Sequence, residues 1–210
     1  MPGRFRLQKF LRDCLGAGMT HAVLEVTSQG VLQSRHRGIK FDYAVLTNVT
    51  PEHIEAHGSF EKYCGAKIKF FEYASKSNNA VAIVNADDLS AELFLAPPFA
   101  KRIKYRGVEL KHFNPLLGEF NKANVEAAVK VSESLGFGRE QIEAALKTFP
   151  GMPGRLEFVQ RQPFAVIVDY AHTPDALRKV YETLRSQRGT VNGQQLICVL
   201  GAAGGGRDRW

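Results

Sequence analysis

Apolar and polar positions follow two periods along this chain, and the switches between them predict its elements. Leu7, Phe10, Leu11, Cys14 and Leu15 recur at helical spacing, with Gly16 and Gly18 placed to close that helix. The unbroken apolar run 22–26 then predicts a strand, and Tyr43–Leu46 a second. Thr47, Asn48, Thr50 and Pro51 break the pattern with turn-forming side chains. Ser59 is placed to cap a helix whose stripe runs Phe60, Tyr63, Cys64, Phe70, Phe71 and Ala74, with Glu61 at the positive end of its dipole. A buried strand over 80–84, a short helix over 89–95 stopped by Pro97 and Pro98, and an edge strand over 103–105 follow.

The second half keeps the same alternation. Residues 116–136 predict a helix with a stripe of Phe120, Asn124, Ala127, Ala128, Val131 and Leu135, and Arg139–Thr148 predicts another. PGMPGRLE then packs two prolines and two glycines into a few residues, which reads as a linker. Beyond it lie a strand over 164–168, a helix capped by Thr173 with Pro174 at its first position, and a last strand over 195–200. Helices alternating with short apolar strands predict an α/β fold with an open sheet.

Composition changes this picture little. The chain has 210 residues and the balance of an ordinary soluble protein, no apolar run approaches a membrane span, and MPGRFRLQKF lacks a signal-peptide core, so the expectation is a cytoplasmic protein with no membrane partner. Cys14, Cys64 and Cys198 are odd in number and widely spaced among apolar neighbours, which suits reduced core thiols. The formal charge of +7 favours anionic partners. Its basic clusters, at 35–37 and 101–106, carry no nucleic-acid motif, so a small anionic molecule is expected and nucleic acid is not.

The chemistry concentrates in LTNVTPEHIEAHGSFEKYCGAK, residues 46–67. His53 and His57 stand four apart, with Glu52 and Glu55 between them, a spacing that makes both imidazoles candidate metal or phosphate contacts. Lys67 falls inside an apolar stripe, where it either snorkels out, pairs with an acid, or is pushed toward the neutral amine. Glu25 closes the strand over 22–26, at the end where open α/β sheets hold ligands, or else it simply faces solvent. Arg35 could fork onto a phosphate or carboxylate, or stand solvated in its loop. Asp87 and Asp88 look like a catalytic pair, and equally like turn residues. Asn124 lies on the apolar stripe, as structural glue or a ligand contact, with Asn121 one turn earlier toward the loop side. Asp169, Tyr170 and His172 gather charge at a strand end beside a helix N-terminus, while the glycines of GAAGGGRDRW follow a strand with no helix after them, which suggests a severed chain.

Taken together, EVTSQG, TNVTPEHIEAHGSFEKYCGAK, NADD, GEFNKANVEAA, PGRLE, VDYAHTPDAL and the final GGGRD resemble the Mur ligase family, closest to the ligases that add the third residue to a UDP-N-acetylmuramoyl-peptide. The resemblance implies part of the family's central ATP-binding domain over 1–152 and the start of its Rossmann-like C-terminal domain over 153–210. It also implies an ATP-dependent amide ligase of peptidoglycan synthesis, with a UDP-MurNAc-peptide and an amino acid as substrates; a monomer is expected. By position, Glu25 and His53 match magnesium ligands, and Lys67 matches the family's carbamylated lysine, a third ligand; His53 and Lys67 are thereby implied to be catalytic. Thr27, Gln33 and Arg35 match contacts to UDP-MurNAc, and Asn121, Arg155 and Asp169 match contacts to ATP. The chain departs from the family in Glu52, Glu55 and Thr27, where Asp, Asp and Ser are usual, and it holds no G-x-x-x-x-G-K-[ST] phosphate loop. As a separate polypeptide it is therefore expected to lack ligase activity. The alternatives are a folylpolyglutamate synthase-like ligase, or a non-catalytic remnant that binds ligand without turnover.

Overall fold

The computed structural model describes residues 2–50, 57–107, 119–186 and 195–201. The chain divides into two compact units with the border after Lys104. Element by element, the chain runs α1 (Arg4–Gly16), α2 (Ser28–Leu32), β1 (Tyr43–Leu46), α3 (Phe60–Ala74), β2 (Val81–Asn85), α4 (Ala91–Leu95), β3 (Lys101–Tyr105), α5 (Glu119–Ser134), α6 (Arg139–Thr148), β4 (Glu157–Gln160), β5 (Val166–Val168) and α7 (Pro174–Ser186).

In the first unit a sheet of order β1-β2-β3 forms, and β1 and β2 run parallel with Leu46 opposite Val84. β2 is central, and its residues Ala82, Ile83 and Val84 are buried, as a strand covered on both faces must be. α3 crosses from β1 to β2. Its apolar stripe packs as the spacing predicts, with Tyr63, Cys64, Phe70, Phe71 and Ala74 buried, and the Ser59 hydroxyl accepts from the Lys62 N–H at 3.2 Å. The short α4 closes on Arg102, whose guanidinium donates to the carbonyls of Leu95 (2.7 Å) and Pro97 (2.8 Å) and so satisfies orphan helix-end acceptors.

α1 ends as Gly16 and Gly18 predict: the Met19 N–H donates to the Cys14 carbonyl and the Gly18 N–H to Leu15, with Gly18 in the left-handed region at φ +78°. Its packing differs from the expected stripe. Leu7 is 1% exposed, while Phe10 and Leu15 stand largely in solvent. Residues 22–26, expected as a strand, pair with no strand among the described residues, and Val23 is 98% exposed. The run over 195–200 is likewise exposed and unpaired. A strand is defined by its ladder, and an apolar run does not by itself supply the neighbour that completes one. Of the thiols, Cys64 is the buried one, and burial raises its pKa; Cys198 is exposed, against the expectation of a core thiol.

In the second unit β4 and β5 form an antiparallel pair, with Glu157 opposite Val168 and a bulge between Phe158 and Gln160. No strand was expected at β4, whose sequence EFVQ sets two apolar residues side by side with no alternation. α7 starts at Thr173, whose hydroxyl accepts from the Ala176 N–H at 3.3 Å. Hydrogen bonds and charges from Lys179 and Arg178 hold the Asp175 carboxyl below its usual range in the first turn of α7. In α5 the buried face is turned from the expected one. Asn121 is 7% exposed with Val125, Glu126 and Ala127 beside it, whereas Asn124 and Ala128 are exposed. Glu126 can hold its buried place because Lys130 lies 3.3 Å from its carboxylate, a pairing that hydrophobic periodicity does not register.

One buried group makes the first unit sensitive to acid. His36 is 5% exposed, its Nδ1 has no hydrogen-bond partner among the described residues, and its ring meets Tyr73 edge-on at 4.7 Å. Burial, then the nearby Arg37 and Arg4 charges, lower its pKa. The unfolded chain therefore binds a proton that the folded chain refuses. Stability is complete above the ordinary histidine value of about 6.5, falls as the pH drops through it at no more than about 1.4 kcal/mol per pH unit, and levels off below the folded-state value. Urea titrations across this range should show that fall, and His36→Leu should remove it; an unchanged pH dependence in the variant would assign the sensitivity elsewhere.

Candidate functional site

The carboxyl ends of the parallel strands β1 and β2 lie side by side, the position at which open α/β sheets build their sites. Turn residues after β2 hold the segment after β1. Asn85 Nδ2 donates to the Thr47 carbonyl at 2.9 Å, and Asp88 Oδ2 accepts from the Val49 N–H at 2.5 Å. The same Asp88 carboxylate accepts from the Ser90 N–H at 2.8 Å, and Asn85 Oδ1 accepts from the Asp87 N–H at 3.0 Å. Asp88 thus acts on backbone amides, and Asp87 is exposed. Asn85 and Asp88 form a clamp on the segment that leads toward His53. His53 itself lies outside the described residues, as do Glu52 and Glu55.

α2 and its flanks carry a second set of candidate residues. Glu25 is exposed on the extended segment that enters α2. Thr27 caps α2, its hydroxyl oxygen accepting from the Gly30 N–H at 3.1 Å, which leaves the hydroxyl hydrogen available to donate. Gln33 is exposed at the far end of α2, and Arg35 is half-buried just beyond it. Thr27, Gln33 and Arg35 thus lie on one five-residue helix and its two flanks.

α2 packs against α3, and a chain of side chains crosses between them. Ser28 Oγ lies 3.0 Å from His57 Nε2, the His57 ring meets the Tyr63 ring at 5.3 Å, and Lys67 Nζ stands 5.1 Å over the Tyr63 ring face. Lys67 is half-buried, one turn beyond Tyr63 on the inner face of α3. Spacing singles out the lysine and both histidines as candidates, but it does not pair His57 with Ser28. Among the described residues, no three His, Cys, Asp or Glu side chains are gathered to hold a metal ion. The Glu25 carboxylate is a donor type that suits a hard cation such as magnesium.

The second unit places Arg155 and Asp169 side by side. Asp169 Oδ2 accepts from the Leu156 N–H at 2.8 Å and Oδ1 from the Ala171 N–H at 2.7 Å, which ties PGRLE to VDYAHTPDAL. The exposed Arg155 guanidinium lies 4.9 Å over the Tyr170 ring, and that ring meets His172 at 5.0 Å. Gly154 at φ +69° and Leu156 at φ +47° bend the chain so that Arg155 faces outward between them. Asn121 is buried on α5, where its Oδ1 accepts from Asn124 Nδ2 at 3.3 Å.

Comparison with known proteins matches these two regions. The Mur ligase middle domain matches residues 1–105, and the Mur ligase, glutamate ligase domain matches residues 154–209. A UDP-N-acetylmuramyl-tripeptide synthetase of Roseiflexus sp. (strain RS-1) is 36% identical over 97% of this chain and 47% of its own length. A UDP-N-acetylmuramoyl-L-alanyl-D-glutamate--2,6-diaminopimelate ligase of Gloeobacter violaceus is 38% identical over 99% of this chain and 47% of its own. A solved structure of a ligase of that second name superposes with a TM-score of 0.72 at 30% identity, covering 88% of this chain and 44% of that one. The chain thus spans about half the length of the relatives it matches.

Proposed function

We infer a function from one premise, that this chain belongs to the Mur ligase family. Our reading is that these residues serve ATP-dependent ligation of an amino acid to a UDP-N-acetylmuramoyl-peptide in peptidoglycan synthesis, a reaction the 210 residues are not expected to perform by themselves because they hold no G-x-x-x-x-G-K-[ST] loop. ATP phosphorylates the peptide carboxylate, the amine of the amino acid attacks the acyl phosphate, and phosphate leaves. Residues 1–152 and 153–210 serve as parts of the central and C-terminal domains, a division supported by the start of the second family match at residue 154. A cytoplasmic monomer acting without nucleic acid completes the reading; among the described residues no helix is long and apolar enough to cross a membrane.

Thr27, Gln33 and Arg35 bind the UDP-MurNAc portion in this reading, and their grouping on α2 supports it. Arg155, Asp169 and Asn121 bind ATP: Asp169 fixes the loop that carries Arg155, whose exposed guanidinium is free of backbone duty and suited to oxygen anions. Glu25, His53 and Lys67 as a carbamate would hold Mg2+, whose charge offsets that of the phosphates. The observation that carries this reading is the placement of Lys67 on the inner face of α3, with its Nζ over the Tyr63 ring that also meets His57. In forming the carbamate, the neutral Lys67 amine attacks carbon dioxide, an N–C bond forms, and the nitrogen's proton leaves to water.

The test is carbon NMR of the folded chain in 13C-bicarbonate with magnesium at mildly alkaline pH. A carbamate resonance is expected, and it should vanish in Lys67→Arg, whose guanidinium does not form one. A folded sample with no such resonance would remove Lys67 from the metal set.

A further inference from the structure

We propose that His57 is a positioning residue, joining the turn that opens α2 to the first turns of α3. Spacing pairs it with His53 as a metal or phosphate contact, but the geometry assigns its Nε2 elsewhere. Nε2 lies 3.0 Å from Ser28 Oγ, a residue 29 positions away in the chain. Ser28 is 5% exposed, so its hydroxyl must find a partner inside the protein, and the imidazole is that partner. A ring nitrogen committed to a buried hydroxyl is not available to a cation through the same atom.

The other face of the link is aromatic. The His57 ring meets the buried Tyr63 ring at 5.3 Å and 66°, and Lys67 Nζ in turn lies over the Tyr63 face at 5.1 Å. His57 therefore touches both the helix that bears Thr27, Gln33 and Arg35 and the ring on which Lys67 rests. Ser28 directly follows Thr27, so fixing the Ser28 side chain also fixes the cap that holds the first turn of α2. Five residues cannot sustain a helix on their own. The consequence is that α2 keeps its place through this contact, its cap and its packing on α3. The proposal rests on the substrate role given above to α2, but its test does not need that role.

The test is amide hydrogen exchange on the full chain in His57→Phe, Ser28→Ala and His57→Gln. Phenylalanine keeps the ring against Tyr63 and loses the hydrogen bond; glutamine reaches to about the position of Nε2 and can restore it. The informative amides are Gly30, which donates to Thr27 Oγ1, and Val31, which donates to the Thr27 carbonyl at 3.0 Å. His57→Phe and Ser28→Ala should each speed exchange there about five- to tenfold, as expected for the loss of one net hydrogen bond. His57→Gln should return it close to the native rate. The Val81 amide, bonded to the Asp42 carbonyl at 2.9 Å at the edge of the β1–β2 ladder, should stay unchanged in all three. Unchanged exchange at Gly30 and Val31, failure of glutamine to restore it, or an equal rise at Val81 would each overturn the proposal. No magnesium, ATP or substrate enters these measurements. Loss of the carbamate signal with this exchange pattern intact would therefore count against the ligase reading alone.

Discussion

Replacing Phe94 by alanine should destabilise the first unit by about 3–5 kcal/mol, the range for an aromatic removed from a packed core. Phe94 is fully buried on α4, and its ring meets Phe71 of α3 edge-on at 4.9 Å. Phe71 also meets Phe70 and Phe99, each at 5.9 Å, and Phe70 meets Phe41 at 5.0 Å. The rings form a continuous apolar cluster, so the cavity left by Phe94 opens against side chains that cannot close over it without moving one another. For a unit of this size the loss corresponds to a fall in Tm of roughly 15–30 °C, readable by circular dichroism. Phe94→Leu, which keeps most of the volume, should cost only about 1–1.5 kcal/mol. Phe5 provides the contrast: its side chain stands in solvent, and its removal should change stability by no more than about 0.5 kcal/mol. A small effect of Phe94→Ala would mean that α4 does not close this core.

Asp88→Ala should have the next largest effect, about 2–4 kcal/mol. The carboxylate accepts from two backbone amides, Val49 at 2.5 Å and Ser90 at 2.8 Å, and the loss strands a donor on the buried Val49. Asp88→Asn keeps one acceptor oxygen and should lose about half as much. Urea denaturation gives both values. The effect also has a local signature, because exchange at the Val49 amide should rise more than the global loss accounts for. If it does not, the clamp does not govern the segment between β1 and α3.

Much of the fold was legible because its signals are local. The stripe of α3 and the caps at Ser59 and Thr173 are set by residues within a few positions of one another, and each formed where spacing placed it. The parallel pairing of β1 and β2 follows from two apolar runs separated by a helix. Where partners lie far apart, local signals failed. Residues 22–26 and 195–200 are apolar enough for strands but meet no ladder among the described residues. In α5 the Glu126–Lys130 pair and the burial of Asn121 turned the inner face away from the apolar stripe. Asp88, read as half of a catalytic pair or as a turn residue, does serve its turn through the Ser90 amide, but its clamp on the Val49 amide, 39 positions away, carried no local signal.

The sequence by itself determined the types of most elements, the family, and which residues are candidates for its chemistry, since residue type, spacing and motif order are properties of the linear chain. Only the tertiary structure decided how those residues are held. It assigned His57 to Ser28, set Lys67 over Tyr63, and bound Asp169 to the amides of Leu156 and Ala171. Each of these contacts joins segments separated in sequence or orients a side chain within a packed surface. Hydrogen bonds and ring contacts act over a few ångströms, and no periodicity along the chain encodes which distant groups the fold brings within that reach.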